Sequence, residues 1–396
     1  MKPGAAHLFL VAVFLAMVGM PMLVQTVRET SRGERPQALD VLLRAPTPAN
    51  LRAYERALEN ASVTMRTLRP YMQAAQFLAL RNAGEKALVG REGWYFYGPG
   101  VGFLTQRPKP GESTPDQALS AVIRFRNQLA ERDIRLILVP APNKESVYPE
   151  RLTRFAKPSD RIVSAETREF LEKLKLSGIE VVDLFALFRE ARRRSSDEVC
   201  LAQDSHWSPA GMELAARSVA DRILAHGWLK PGVTAYRREP VPVKRLGDIV
   251  RMIRSPQIEQ SISPEKMTCQ RIVRGDTGDA YRDDPGAEVL VLGDSFLRIY
   301  QQDEPGQAGF VAHLAHALGR PIASIVNDGG AATLVRQDLF RRPHLLDHAK
   351  VLVWEFVERD LRFATEGWQN VPLPPVSTPG ASSVPASSVR PDPSSG

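Results

Sequence analysis

Three residues in this chain combine types and neighbours suited to nucleophilic chemistry: Asp204, His206 and Ser295. Ser295 stands in Gly293-Asp294-Ser295-Phe296, directly after the apolar run from Glu288 to Gly293. A serine hydroxyl is a weak nucleophile at neutral pH; it needs a base to take its proton, and the base needs an orienting acceptor. The string Asp204-Ser205-His206-Trp207 supplies both. Side chains at i and i+2 of an extended segment project to one side, so Asp204 can hold one imidazole nitrogen and leave the other for Ser295. Of the seven histidines, His206 alone has an aspartate two residues before it. Taken singly, each string also fits a plain structural job. Gly-Asp-Ser can turn a strand into a helix, and Asp204–Ser208 can cap the helix that follows. Together they read as a catalytic triad for acyl chemistry through an acyl-serine.

Other residues are weaker candidates. Asn327-Asp328-Gly329-Gly330 follows an apolar strand, and Asn327, Gly329 and Gly330 are read either as oxyanion donors or as a Gly-rich turn. Arg359 is read as meeting an acidic sugar or an internal carboxylate. His313 and His316, and His344 and His348, have helical spacing, but no Cys or Glu cluster completes a metal site, so no metal and no cofactor are expected. The two cysteines, Cys200 and Cys269, form no C-x-x-C. They can pair in an oxidising compartment, but the preferred reading is two buried thiols.

The elements that must position the triad are those of a parallel sheet. Short apolar strands are expected at Arg135–Pro140, Ile179–Leu184, Glu288–Gly293, Ile322–Val326 and Val351–Trp354. Amphipathic helices alternate with them, one starting at Thr114-Pro115-Asp116-Gln117, one from about Ser159 that buries Ile162, Val163, Phe170, Leu171 and Leu174, one at Ser208-Pro209, and one over Gly309–Leu318. This alternation implies an α/β fold with helices on both sheet faces. In such sheets, sites lie beyond the carboxyl ends of the strands, where Ser295 falls. Gly90–Gly98 reads as an aromatic strand between glycines. Residues 36–90 read as polar helix broken at Pro46, Pro48 and Pro70, and residues 230–287 as an insertion with short helices. With 43% hydrophobic and 24% charged residues, the chain can bury a full core. The net charge of +7 is dispersed over many arginines without a basic-aromatic pattern, which argues against nucleic acid as a partner. Its one tight run, Arg192-Arg193-Arg194, reads as a solvated helix end.

These strings resemble the SGNH hydrolase superfamily. The order, with Asp-x-His about 90 residues before Gly-Asp-Ser, is similar to that of the alginate O-acetyltransferase family of periplasmic enzymes. Gly93-Trp94-Tyr95-Phe96-Tyr97, Val139-Pro140-Ala141-Pro142-Asn143-Lys144 and Trp354-Glu355-Phe356-Val357-Glu358-Arg359 extend the likeness over roughly residues 85–365. The resemblance implies an SGNH hydrolase-like fold with permuted motif order and the triad Asp204, His206 and Ser295. It also implies acetyl transfer to hydroxyls of an exported polysaccharide, with a membrane-bound O-acyltransferase delivering the acetyl group. No carbohydrate-binding domain is expected after the catalytic body, unlike one branch of the family. A carbohydrate acetylesterase would use the same triad, and a non-catalytic subunit of an export complex is the alternative outside enzymes.

Leu8–Val24 is almost wholly apolar and lacks a small-x-small cleavage site, so residues 1–28 are read as an uncleaved signal-anchor in the inner membrane. Arg28, Arg32 and Arg35 follow the run and only Lys2 precedes it, so the positive-inside rule alone would keep the body cytoplasmic. The resemblance favours the periplasm. Residues 29–90 are then a membrane-proximal helical region, 91–371 the acetyltransferase domain, and 372–396 a disordered Pro/Ser-rich tail.

Overall fold

The computed structural model describes residues 4–43, 45–157, 164–328 and 330–374. Three sheets organise them. A hairpin joins β1 (Ala87–Val89) to β2 (Tyr95–Tyr97). The central sheet contains β3 (Arg135–Ala141), β4 (Glu180–Val181), β7 (Val289–Gly293), β8 (Ala323–Val326) and β9 (Val351–Val357). Its order is β4-β3-β9-β7-β8, and every pairing is parallel. An antiparallel ribbon pairs β5 (Tyr236–Arg245) with β6 (Glu265–Arg274).

β7 and β9 are buried at every residue, as continuous apolar strands covered on both faces must be. On one face, Val289, Val291, Val351 and Val353 pack with the helices Pro209–Ala225 and Phe310–Leu318. On the other, Leu290, Leu292, Leu352 and Trp354 pack with Pro115–Ala130, Ala165–Leu176 and Leu334–Arg341. The alternation along each strand sends successive side chains to opposite layers. Helix starts follow local side-chain chemistry. Thr114 and Gln117 form a complete capping box, and the Ser208 hydroxyl accepts from the Gly211 amide at 3.2 Å.

Four expectations need correction. The segment Ile179–Leu184 is a strand only at Glu180–Val181, because the Asp183 side chain caps a new helix, Leu184–Arg194. The helix expected from about Ser159 is described from Ala165, with Ser164 as its cap; Ile162 and Val163 lie outside the described residues. Pro70 does not break its helix but sits inside Val63–Leu80; a proline forfeits one hydrogen bond there without preventing the turns on either side. The insertion holds two short helices, Asp248–Arg251 and Pro256–Ser261, but its main element is the ten-residue ribbon. Charged residues cluster at the ends of both ribbon strands and blur the strand pattern, and Pro240 and Pro242 disguise β5.

The N-terminal helix Ala5–Ser31 is long and apolar enough to cross a membrane, and its apolar side chains are exposed. Its polar end is tied to the next helices. Gln25 Oε1 accepts from the Val63 amide at 3.1 Å, and buried Glu29 accepts from Gln37 at 2.9 Å. Cys200 and Cys269 are buried free thiols.

Candidate active site

Gly293 ends β7 against the neighbouring strand. A Cβ there would lie 2.5 Å from Glu355 Oε2 and 2.6 Å from Leu297 Cδ1, so a larger residue would push those two side chains aside. Asp294 then redirects the chain. Its carboxylate accepts from the Phe296 amide at 2.9 Å, and its own amide donates to Glu355 Oε2 at 3.2 Å. Asp294 and Phe296 are buried while Ser295 between them is half-buried, so the turn presents the hydroxyl at the carboxyl edge of the sheet.

The Asp204–Trp207 string arrives from the other side. Leu201 donates to the His206 carbonyl at 3.2 Å and Ser208 to the Val199 carbonyl at 3.0 Å, which close a small loop around it. His206 Nε2 lies 2.8 Å from Ser295 Oγ, and His206 Nδ1 lies 2.6 Å from Asp204 Oδ1. The three sequence-predicted residues thus form one hydrogen-bonded row. The Phe296 ring lies 4.8 Å from the imidazole, centroid to centroid, tilted by 55°. Trp207 backs Phe296 at 5.1 Å and stacks on Phe310 at 5.8 Å.

Electrostatics suit the row. Burial works against charge on Asp204, but hydrogen bonds and charge from His206 and Arg245 hold its carboxyl well below the usual carboxylate range. Burial would lower the His206 pKa, yet the Asp204 hydrogen bond and the charges of Asp204, Asp248 and Asp294 raise it above 6.5. An ionised Asp204 requires the imidazole proton on Nδ1, which leaves the Nε2 lone pair for the serine proton.

The secondary candidates are placed differently. Asn327 follows β8 beside β7; its amide N–H donates to the Gly293 carbonyl at 3.0 Å, and its side-chain Nδ2 to Asp338 at 2.6 Å. Gly330 donates to the Asn327 carbonyl at 3.1 Å, and Gly329 lies outside the described residues. Arg359 lies over the Tyr97 ring at 5.1 Å, and its charge acts on the buried acids Asp294, Glu145 and Asp360. His313 is buried and bonded to the Gln270 carbonyl at 2.9 Å. Among the described residues, ligand-type atoms of Asp204, His206 and Asp248 gather within 4.8 Å. Hydrogen bonds engage all three: Asp204 and Asp248 accept, and His206 Nδ1 donates to Asp204.

Sequence reasoning missed the support. Lys144, Arg245, Asp248 and Glu265 all bond to the segment Leu201–Ser205. Lys144 lies in the Val139–Lys144 string, where nothing local marks its role. The other three fall in the stretch read as an insertion, where nothing local marks them.

Residues 87–358 match the family described as "SGNH hydrolase-like domain, acetyltransferase AlgX". The chain belongs to this family. Among its relatives, the probable alginate O-acetylase AlgJ of Pseudomonas putida is 27% identical over 320 residues, covering 76% of this chain and 77% of that protein. The probable alginate O-acetylase AlgJ of Pseudomonas aeruginosa is 24% identical over 295 residues, 70% of this chain and 71% of that one. Two solved structures share the fold. The O-acetyltransferase domain of Pseudomonas putida AlgJ has a TM-score of 0.54 at 22% identity, covering 69% of this chain and 91% of that one. Pseudomonas aeruginosa AlgX has a TM-score of 0.50 at 18% identity, covering 68% and 62%. The SGNH hydrolase-like family thus accounts for the parallel sheet and the helices that cover it.

Proposed function

We propose that this chain is an O-acetyltransferase that modifies hydroxyls of an exported, alginate-like polysaccharide through an acetyl-Ser295 intermediate. The row Asp204–His206–Ser295, with contacts of 2.6 and 2.8 Å, carries the reading. Membership of an acetyltransferase family and the alginate O-acetylase names of its relatives support the substrate class.

His206 Nε2 takes the Ser295 hydroxyl proton as Oγ attacks the acetyl carbonyl of the donor. The amides of Asp294 and Phe296 are already engaged, so the Ser295 N–H is the strand-end donor assigned to the oxyanion. The tetrahedral intermediate collapses, the donor group leaves with the proton from Nε2, and acetyl-Ser295 remains. A sugar hydroxyl then gives its proton to Nε2 and attacks the acetyl carbonyl. Collapse returns that proton to Ser295 Oγ and releases the acetylated sugar. Asp204 keeps the imidazole oriented and stabilises its cation in both halves.

The apolar helix Ala5–Ser31 is consistent with a membrane anchor. We place the body in the periplasm, where an inner-membrane O-acyltransferase would deliver acetyl groups and the polymer would pass.

The test is intact mass after incubation with a chromogenic acetyl ester. An acetyl adduct is expected on the wild type and absent from Ser295→Ala. An adduct that persists in Ser295→Ala would overturn the assignment. Adding uronate oligosaccharide should speed ester turnover and yield acetylated sugar; turnover to free acetate alone would make the chain an esterase.

A further inference from the structure

We propose that the β5–β6 ribbon is a clamp on the triad, with Arg245 and Asp248 acting as positioning residues for Asp204 and His206. The proposal rests on the triad reading given above.

The clamp is built at one end of the ribbon. Arg245, the last residue of β5, pairs in register with Glu265, the first of β6. Glu265 accepts from the amides of Ala202 and Gln203 at 2.8 and 2.9 Å. Arg245 Nε donates to Asp204 Oδ2 at 2.9 Å. Three residues on, the Asp248 amide donates to the same oxygen at 3.1 Å. The Asp248 carboxylate accepts from the Ser205 amide at 2.7 Å and the Ser205 hydroxyl at 2.6 Å. Four consecutive residues, Ala202 to Ser205, are therefore held from one ribbon end.

The close approach depends on Gly247. A Cβ there would fall 2.1 Å from the Gln203 carbonyl carbon and oxygen, against backbone that cannot swing away. Only a glycine lets the turn lie flat enough for Asp248 to reach Ser205.

Each clamp residue carries a charge with a defined effect on the base. Asp204 Oδ1 serves His206 Nδ1, so Arg245 and Asp248 N–H saturate the other oxygen and stop the carboxylate rotating. Asp248 Oδ2 also lies 3.7 Å from His206 Nδ1 as a second anion beside the imidazole. The charged groups acting on His206 are Asp204 from its own loop, Asp248 after β5 and Asp294 after β7; Arg245 acts through Asp204. Arg245 is itself steadied by Asp303 at 3.3 Å, and Asp303 by Arg298 in the helix that begins at Ser295.

The experiment uses the full-length protein and two readouts. One is the pH dependence of Ser295 acetylation by the chromogenic ester. The other is the His206 titration followed by NMR on histidine-labelled protein, with His206→Gln to assign the signal. Asp248→Asn keeps an acceptor for Ser205 and removes the charge, so both midpoints should move down by about one pH unit. Arg245→Gln leaves Asp204 less neutralised, so both midpoints should move up. The plateau rate should fall roughly 10–100-fold through misorientation. Arg245→Lys should bring the midpoint back towards the wild type without restoring the full rate. Midpoints unmoved in Asp248→Asn and Arg245→Gln, with folding intact, would overturn the clamp. If the wild type forms no acetyl-serine, the function proposed above fails, while the NMR midpoints still decide whether Arg245 and Asp248 set the imidazole.

Discussion

Lys144 Nζ lies 2.7 Å from the carbonyl oxygen of Asp204, and 2.9 and 3.1 Å from those of Leu201 and Ala202. One buried ammonium thus gathers three carbonyls of the loop that carries Asp204, using all three of its donors. The rings of Trp94 and Phe96 lie 5.6 and 5.2 Å from it. The aromatic hairpin, the exit of β3 and the Asp-x-His string therefore form one unit, although they are spread over more than a hundred residues of sequence.

Replacing Lys144 by Met should strand those carbonyls. Burial already lowers the Lys144 pKa, so the site tolerates the charge only through its bonds. We expect a stability loss of about 2–4 kcal/mol in urea unfolding, with acylation falling in parallel. Lys144→Arg should not rescue it, because a planar guanidinium cannot point at three converging carbonyls. A Met variant as stable as the wild type would show that the loop holds itself.

Asp204→Asn should leave the fold intact and lower the acylation rate by roughly 10²–10⁴, as for the general Ser-His-Asp template. Circular dichroism and ester kinetics measured together would check both halves. Full activity would mean that another acceptor orients His206, and Asp248, 3.7 Å away, would be the residue to test next.

Acylation should rise with pH. His206 must be neutral to accept the serine proton, and its pKa is raised above 6.5. The rate–pH curve should therefore climb through a midpoint above 6.5 and then level. The stability that His206 draws from Asp204 runs the other way: it is full below about pH 6.5 and fades as pH rises through the folded-state pKa. A midpoint well below 6.5 would show that burial outweighs the anions around the ring.

Thermal stability should fall between pH 5 and pH 8. Burial pushes Glu145 and Asp360 up to about 7, and it also raises Asp294, Glu355 and Glu358. Carboxyls raised in the folded state stabilise it fully below their unfolded pKa and lose that contribution as pH rises through the folded pKa. Asp204, depressed instead, matters only at strongly acid pH. Glu355→Gln should flatten the slope measured by calorimetry, since a neutral amide still accepts from the Asp294 amide. A slope unchanged in that variant would exclude Glu355 as a source.

Acetyl transfer to an acidic acceptor should weaken with salt. The chain carries a net charge of +7, and attraction between exposed charges is screened over about 10 Å at 0.1 M. Comparing uronate with neutral oligosaccharides at low and high salt tests this. A neutral acceptor preferred at both would remove the charge argument and leave the transferase reading standing.

What could be read in advance followed from local physics. β7 and β9 announce themselves because doubly covered strands are unbroken apolar runs, and the Thr114 and Ser208 caps are spelled out within four residues. That Asp204, His206 and Ser295 meet could be anticipated because each sits in a short, distinctive string. The clamp was not, because Arg245 and Asp248 meet Asp204 and Ser205 across about 40 intervening residues, and an Arg at a strand end has no local mark. β4 is shorter than its apolar run because Asp183, between the apolar Val182 and Leu184, caps the next helix. Lys144 sat in plain view, but only the folded loop shows what its ammonium faces.

The prolines that hid β5 also do something for it. Pro240 and Pro242 occupy alternate positions, level with Arg238, whose partner Ile272 sends its amide away from the ribbon to the Gln307 carbonyl at 2.8 Å. On that parity the backbone of β5 faces outward, and two of its outward donors are missing. The far edge of β6 is covered by the segment around Pro305–Gln307, where Arg271 also bonds the Pro305 carbonyl at 2.8 Å. A two-stranded ribbon has two open edges, each a template on which a neighbouring molecule can add a strand. Here one edge is blanked by proline and the other occupied. Copies of the chain can then crowd without stitching together through the ribbon that holds the Asp204 loop.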